Sequence, residues 1–318
     1  MKFLKLKRIL KLYKQVNDDE SGNVMVLVAL SMVVICGFAA LVIDIGALYL
    51  QHQQAQAAAD AGALAGADTL VTATSTAAST AANTALSMAN TNDPHPNYTA
   101  VAHGTLQTVT VTGQQTVPFT FARILGIPSA NVKVSSKAEL GTLTQAVGIV
   151  PIAVLNQNFT YGQQVYLSQP AGSGSSGNYG FLDFSGNGSN GLEYDIEHGY
   201  DFPLYVGEQV DTKTGMNTGP VQTAIDYRMS QDDGEGCDSF ETADSTCSRV
   251  MYLPVVNTLD VSGKKPVTIL GFATFFLDGL VNSGGQQQIV GRFIQMVRAG
   301  TIGVGQNYGT YGVKLTTP

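Results

Sequence analysis

An α+β protein is predicted: a single N-terminal membrane-spanning helix extended by an alanine-rich helix, a small α/β unit, and a predominantly β domain outside the membrane. Three observations predict this class. Residues 24–43 are apolar and uncharged, alanine recurs without proline from residue 44 to about residue 90, and short β-branched and aromatic runs follow residue 148. The predicted divisions are therefore 1–19, 20–90, 91–147 and 148–318.

The first division, residues 1–19, is a basic tail. The chain has six Lys or Arg before the apolar run, against three Asp or Glu. By the positive-inside rule, this tail stays cytoplasmic and the rest of the chain beyond the span is extracytoplasmic. The apolar residues Phe3, Leu6, Leu10 and Tyr13 also recur with helical spacing. Two interpretations stay open: an amphipathic helix on the anionic leaflet, or a plain topology signal.

The predicted span is Val24 to Ile43, twenty residues without a charge. At about 1.5 Å per residue this length matches the ~30 Å hydrocarbon core of a bilayer, so we expect one crossing. A cleaved signal peptide is the competing interpretation. Its apolar region is usually ~7 to 15 residues long, and the nearest small-x-small pattern begins at Ala55, twelve residues beyond the span. A retained anchor is therefore expected.

The alanine-rich extension carries two adjacent rows of small residues that predict close packing against another helix. Each glycine costs about 1 kcal/mol relative to alanine in a helix, which favours packing over the alternative that alanine merely supplies helix propensity. The cluster at residues 92–97, with two prolines, ends this helical region. The predicted packing residues are Ala55, Ala59, Gly62, Ala63, Gly66 and Ala67.

Residues 91–147 alternate strand and helix patterns. A strand is predicted at 106–111, a short helix at 119–125 that ends at Gly126, and a second strand at 132–138. We expect this small α/β unit to pack on the long helix.

Several features of the N-terminal region occur together. They are Gly22-Asn23 before the span, Asp44 and Gly46 at its outer end, Tyr49, and the run QAAADAGALA from residue 56. This region resembles the N-terminal module of TadE/TadG-like proteins of Tad (Flp) pilus assembly, and residues 118–140 are similar to the segment that commonly follows it. The resemblance implies an envelope protein that works with other pilus or secretion-system proteins through its N-terminal helix.

Gly22 is a possible processing site, because it matches the glycine before a prepilin-peptidase cut. Type IV-like pilins carry a Glu at the fifth residue of the mature chain, and here that position is Leu27. A permanently anchored, unprocessed protein is therefore expected.

The C-terminal domain is predicted from short β-rich runs bounded by Gly, Pro and Asn. Residues 301–318 are expected to form an edge strand or a tail. From Asp44 onward the chain has eleven Lys or Arg against twenty-one Asp or Glu, which disfavours a nucleic-acid partner. The expected strands lie at 149–155, 163–168, 179–184, 201–207, 249–259, 266–277 and 287–297.

Two of the three cysteines are predicted to form a disulfide. Cys237 and Cys247 lie in a polar loop in a compartment that permits oxidation, and closing so short a loop stabilises by about 2 to 3 kcal/mol. No His or second Cys pair lies near to complete a zinc site. Cys36 lies inside the span and is expected to be inert.

Patterns for chemistry are few, and no catalytic residue, cofactor or firm metal site is predicted. Asp195, Glu197 and Asp201 surround His198 and offer oxygen ligands for Ca²⁺, but their spacing is not that of a calcium loop, which favours a solvated polar loop. Residues 186–191 match G-x-G-x-x-G and are predicted to form a glycine loop rather than a phosphate-binding helix start. Arg228 and Arg249 are expected to form weak surface ion pairs.

The favoured hypothesis is a non-enzymatic, membrane-anchored component of a Tad-type pilus, either an assembly accessory protein or a minor pilin-like subunit. The alternative is an anchored adhesin or ligand-binding module that contacts a surface ligand through loops 183–201 and 231–248. A third possibility is an exported hydrolase that depends on His198.

Overall fold

The computed structural model describes residues 20–71, 76–105, 107–167, 178–186, 188–215, 217–232, 234, 236–283 and 286–317. The basic tail, residues 1–19, lies outside these. The fold is α+β, as predicted, with a long N-terminal apolar helix and a mostly β C-terminal part. The chain forms two compact units. The smaller draws on Met1–Ala57, Asp93–Asn97 and Gly113–Val134, and the larger on Ala58–Asn92, Tyr98–Thr112 and Ser135–Pro318.

The N-terminal half of the chain is dominated by helix α1, Glu20–Asp68, which runs for 49 residues. A short 3₁₀ helix, Thr69–Val71, continues it, and helix α2, Ala77–Asn92, follows. The alanine-rich region therefore consists of two helices. The second ends at Asn92, two residues before Pro94, as the sequence predicted.

Three strands follow α2. They are β1 (Asn97–His103), β2 (Thr108–Pro118) and β3 (Ser129–Ala146). The short helix expected at 119–125 is a 3₁₀ turn, Ala122–Leu125, which ends at Gly126 with φ 83°. A left-handed residue at that position explains the glycine.

The described residues after β3 form short strands, two longer strands and two helices. Helix α3 is Gly188–His198 and helix α4 is Thr218–Ser230. The strands are β4 (Val154–Leu155), β5 (Gln164–Leu167), β6 (Asn178–Asp183), β7 (Leu204–Tyr205), β8 (Gln209–Thr214), β9 (Val250–Val256), β10 (Pro266–Ser283), β11 (Gln286–Ile294), β12 (Met296–Val297), β13 (Thr301–Gly303) and β14 (Thr310–Thr316).

The strands form two sheets. The first has the order β1-β2-β3-β14-β12, with β7 and β13 also paired to β3. The second has the order β4-β9-β10-β11-β5, with β8 paired to β10 and to β6. Strand β10 is central, because it pairs antiparallel with β9, β11 and β8.

The core of the larger unit lies on both faces of the second sheet. On one face, Phe275 and Leu277 of β10 pack with Ile196 of α3 and Ile225 of α4. On the other face, a second cluster includes Phe272 and Phe276 of β10, Leu143 of β3 and Leu204 of β7. The alternation along β10 follows from the two-residue repeat of a strand. Each such side chain contributes about 1.5 to 3 kcal/mol when fully buried.

Two predictions for this half of the chain were wrong. Residues 301–318 do not form a tail, because β14 pairs with β3 and both Tyr308 and Tyr311 are buried. Strand β12 covers the other side of β14 only at Thr310 and Tyr311, so the rest of β14 lies at the edge of the sheet in the described part of the chain. The glycine loop at 186–191 instead enters helix α3 at Gly188, where burial of Leu192 and Ile196 compensates for weak helix propensity. The segment 209–230, for which no strand or helix was predicted, forms β8 and α4.

Candidate membrane-anchoring and assembly site

The segment of α1 at residues 24–43 is apolar on every side and largely exposed. In the described part of the chain, one helix is long and apolar enough to cross a membrane, and it lies within Val24–Val71. Its most apolar stretch is not buried. Met32, Val33 and Phe38, for example, are all exposed. A helix that is apolar all round requires an apolar environment. This segment is therefore a candidate membrane span.

Asp44, the first residue after the apolar run, is buried, with 4% of its surface exposed. Its carboxylate accepts hydrogen bonds from the backbone N–H groups of Thr120 (2.9 Å), Phe121 (2.9 Å) and Ala122 (2.6 Å). These N–H groups lie at the start of the 3₁₀ turn, where backbone donors lack partners within the helix. Hydrogen bonds to a charged group are stronger than those between neutral groups, so this contact fixes the turn to α1.

A second contact in the smaller unit sets the direction of the β2–β3 hairpin. Gln115 Nε2 donates to Gln51 Oε1 at 3.3 Å. Gln51 lies two helical turns beyond Asp44, about 10 Å further along the helix axis. Because β2 reaches Gln51 before its end reaches Asp44, the hairpin runs beside α1 with its turn toward the apolar segment.

The small residues predicted to pack against a helix lie on the buried face of α1. Ala55, Ala59, Ala63 and Ala67 are fully buried. Within the larger unit, α2 packs on this face, antiparallel to α1. A Cβ atom at Gly62 would lie 2.6 Å from the carbonyl oxygen of Ala85.

Gly66 has the same role one turn further on, where a Cβ atom would lie 2.7 Å from the carbonyl oxygen of Ala81 and 2.8 Å from Ala85 Cβ. Helix α2 of the same chain therefore occupies the surface around both glycines. The sequence could not distinguish this arrangement from contact with another protein.

The polar loop between α4 and β9 is closed by a disulfide between Cys237 and Cys247, which confirms the predicted bond. Their Cα atoms are 5.5 Å apart. Arg249 forms an ion pair with Asp232 at 3.1 Å, and both side chains are largely buried. The Arg249 guanidinium also lies over the ring of Phe276, 4.6 Å from its centroid. This ion pair is therefore not a surface one.

Arg228 was predicted to be a surface residue and is instead buried. Its guanidinium donates hydrogen bonds to the carbonyl oxygens of Ile196, Ser248 and Val250. Burial, and to a smaller extent the nearby charge of Arg298, lower the pKa of Arg228 to about 10. The contacts join the end of α3, the end of the disulfide loop and the start of β9, which gives Arg228 a structural role.

The acidic residues around α3 differ in exposure and position. Asp195 is buried on α3, whereas Asp201 is exposed in the turn that follows. Burial raises the pKa of Asp195, the hydrogen bond from Ser185 opposes this, and the charge of Asp201 raises the pKa further. Among the described residues, no group of three or more His, Cys, Asp or Glu is arranged to hold a metal ion. Glu197 lies near Asp195 and Asp201 in the sequence, but it belongs to no such group.

His198 lies at the last turn of α3 between two tyrosine rings. The ring centroids of Tyr194 and Tyr227 are 4.7 Å and 5.3 Å from that of His198. His198 is therefore an exposed side chain that makes edge contacts with both rings.

The sequence showed Asp44 at the end of the span but not what it binds, because its partners are 76 to 78 residues away. No local pattern identifies such a contact.

The family comparison matches this same region of the chain. Residues 22–69 match the family Tad, described as "Putative Flp pilus-assembly TadE/G-like". No curated protein and no solved structure matches the chain. The matched residues cover the exposed apolar segment, Asp44 and the two glycines under α2.

Proposed function

We propose that this protein is a non-enzymatic, membrane-anchored component of a Flp-type pilus or of the machinery that assembles it. The observation that carries the proposal is the coincidence of two features in residues 22–69: the family match and an apolar helix segment with no buried side. A pilus component needs a segment that both holds it in the membrane and contacts other subunits. The exposed part of α1 meets both needs.

The proposed orientation has the N-terminus in the cytoplasm and the β-rich part outside. The six basic residues before the span support a cytoplasmic N-terminus. The Cys237–Cys247 disulfide supports an oxidising compartment for the C-terminal part.

A structural rather than enzymatic role is supported by the contacts of the residues nearest to a chemical pattern. His198 lies between two tyrosine rings, and Arg228 donates hydrogen bonds to three backbone carbonyl groups. In the larger unit, Arg228 connects α3, the disulfide loop and β9, and Arg249 forms an ion pair with Asp232.

The test is complementation in a bacterium that makes Flp pili and lacks this protein. We expect the bacterium without the protein to carry few or no surface pili. Expression of the full chain should restore them. A matched variant replaces residues 24–43 with an unrelated apolar span of equal length. It should remain in the membrane but fail to restore pili, because lateral helix contacts are lost. Normal piliation without the protein would overturn the proposal, and normal pili with lost attachment would favour the adhesin.

Photo-crosslinking identifies the contacts directly. A photoreactive residue at Val33, which is exposed in the apolar segment, should give adducts with other pilus-assembly proteins. The same group at Val304, exposed in the larger unit, is the control. An autonomous adhesin would give no adducts from Val33.

Mass spectrometry of the mature N-terminus decides between accessory protein and processed subunit. An intact N-terminus is expected, because Leu27 stands where a pilin would carry Glu. A chain that starts at Asn23 would show cleavage after Gly22 and would indicate a pilin-like subunit.

A further inference from the structure

The turn between β2 and β3 exposes apolar side chains where most turns are polar. Phe121, Ile124, Leu125 and Ile127 are 38%, 84%, 72% and 51% exposed, respectively. They lie together within seven residues, on and beside the 3₁₀ turn. A contiguous exposed apolar patch marks a surface that contacts lipid or another protein.

The position of this turn identifies the contact. The Asp44 carboxylate holds the N–H groups of Thr120 to Ala122, and Asp44 directly follows the uncharged run at residues 24–43. The Gln51–Gln115 hydrogen bond, two helical turns further out, shows that the hairpin points toward the membrane end of α1. Ile124 and Leu125 are therefore level with the outer edge of the apolar segment.

The backbone of the turn suits an apolar environment, because most of its donors are satisfied internally. An unpaired N–H group in hydrocarbon costs several kcal/mol. Asp44 accepts from three N–H groups, and backbone carbonyls accept from four others. Those four donors are Phe119, Ile124, Gly126 and Ile127.

The turn also carries one cation. Arg123 is exposed between the apolar side chains. A guanidinium binds phosphate through paired hydrogen bonds, and a long basic side chain can place its charge among headgroups while its stem stays in apolar surroundings. Apolar residues flanking a basic one are typical of segments that lie in the membrane interface.

We propose that residues 119–127 insert into the outer leaflet of the bilayer that α1 crosses, with Arg123 at the lipid phosphates. The ligand is a phospholipid bilayer. This inference rests on the membrane crossing in the proposed function. The turn provides a second membrane contact, which together with Asp44 fixes the height and rotation of the hairpin at the membrane surface.

Depth-dependent fluorescence quenching tests the proposal. The full chain with Cys36→Ser, which removes the free thiol, receives a single NBD label at Ile124→Cys or Leu125→Cys. The protein is reconstituted in vesicles of phosphatidylethanolamine and phosphatidylglycerol that contain doxyl-labelled lipid. We expect a blue-shifted emission and loss of intensity through the lipid-borne quencher. Val304→Cys, which is fully exposed in the larger unit, is the matched control and should show neither change.

A variant in the link to α1 tests the cause. Asp44→Asn removes the charge that accepts the three N–H groups, so the label at Ile124 should lose part of its quenching while the protein stays in the vesicles. Unshifted emission at Ile124 in a protein that floats with the vesicles would overturn this inference alone. A blue shift without lipid quenching would also overturn it, since the turn would then be buried in protein. A chain that does not float with the vesicles would overturn the membrane anchor itself, and this inference with it.

Discussion

At the level of single residues, Gly62 sets how closely α2 approaches α1. We expect Gly62→Ala to destabilise the protein although alanine favours a helix by about 1 kcal/mol. The added Cβ would lie 2.6 Å from a backbone oxygen, which cannot move away alone, and overpacking costs about 1 to 3 kcal/mol. Gly46→Ala is the matched control, because no atom lies within 4 Å of its added Cβ.

Thermal unfolding of the full chain in detergent, followed by circular dichroism, measures both variants. The Gly62 variant should unfold at a lower temperature than the parent, and the Gly46 variant at the same or a higher one. Equal transitions for the two variants would show that the helices do not pack at this distance.

Arg228 gives a second prediction at this scale. Arg228→Lys keeps the charge but should cost about 1 to 3 kcal/mol, because an ammonium group cannot reach the three carbonyl oxygens that the guanidinium binds. Arg123→Lys, at an exposed site, should change stability by no more than about 0.5 kcal/mol. The measurement is the shift in unfolding midpoint. An unchanged unfolding midpoint for Arg228→Lys would show that the hydrogen bonds of the guanidinium do not stabilise the fold.

At the level of elements, the disulfide loop is a local constraint beside the core. Reduction, or the double change of Cys237 and Cys247 to Ser, should cost about 2 to 3 kcal/mol, because the loop gains freedom in the unfolded chain. Cys36→Ser, in the exposed apolar segment, is the control and should leave stability unchanged.

Hydrogen exchange should locate this effect. We expect faster exchange in residues 238–248 and retained protection in Met251 to Val255, which are buried in β9. Equal loss of protection in both segments would indicate that the loop is an integral part of the core rather than a local staple.

The sequence predicted those elements whose patterns are long or strongly apolar, and it missed those that depend on distant packing. Helix α4 carries a usable pattern, since its buried residues Val221, Ala224, Ile225 and Arg228 follow helical spacing. Gly219 and Pro220 at its start obscured that pattern, although proline is well tolerated in a first turn. Strand β14 had no such pattern. Its formation depends on pairing with β3, some 170 residues earlier in the chain.

At the level of the whole molecule, the proposed orientation follows from charge on either side of one apolar segment. Residues before the span carry six Lys or Arg, and residues from Asp44 onward have a net charge of about −10. The family match does not show on which side of the membrane either end of the chain lies. The sequence could thus indicate the anchor and the direction, whereas the Asp44 contact with the hairpin turn needed the fold.

Protease protection tests this orientation. The protein carries one epitope tag before Met1 and another after Pro318. Protease added to intact spheroplasts should remove the C-terminal tag and spare the N-terminal one, because only the C-terminal part is outside. After detergent permeabilisation both tags should be lost, which shows that the protected tag is cleavable. A variant with the six basic residues of the tail changed to Gln should lose this uniform orientation, since the positive-inside bias is removed. Loss of the N-terminal tag from intact spheroplasts would reverse the assignment and place the β-rich part, with its disulfide, in the cytoplasm.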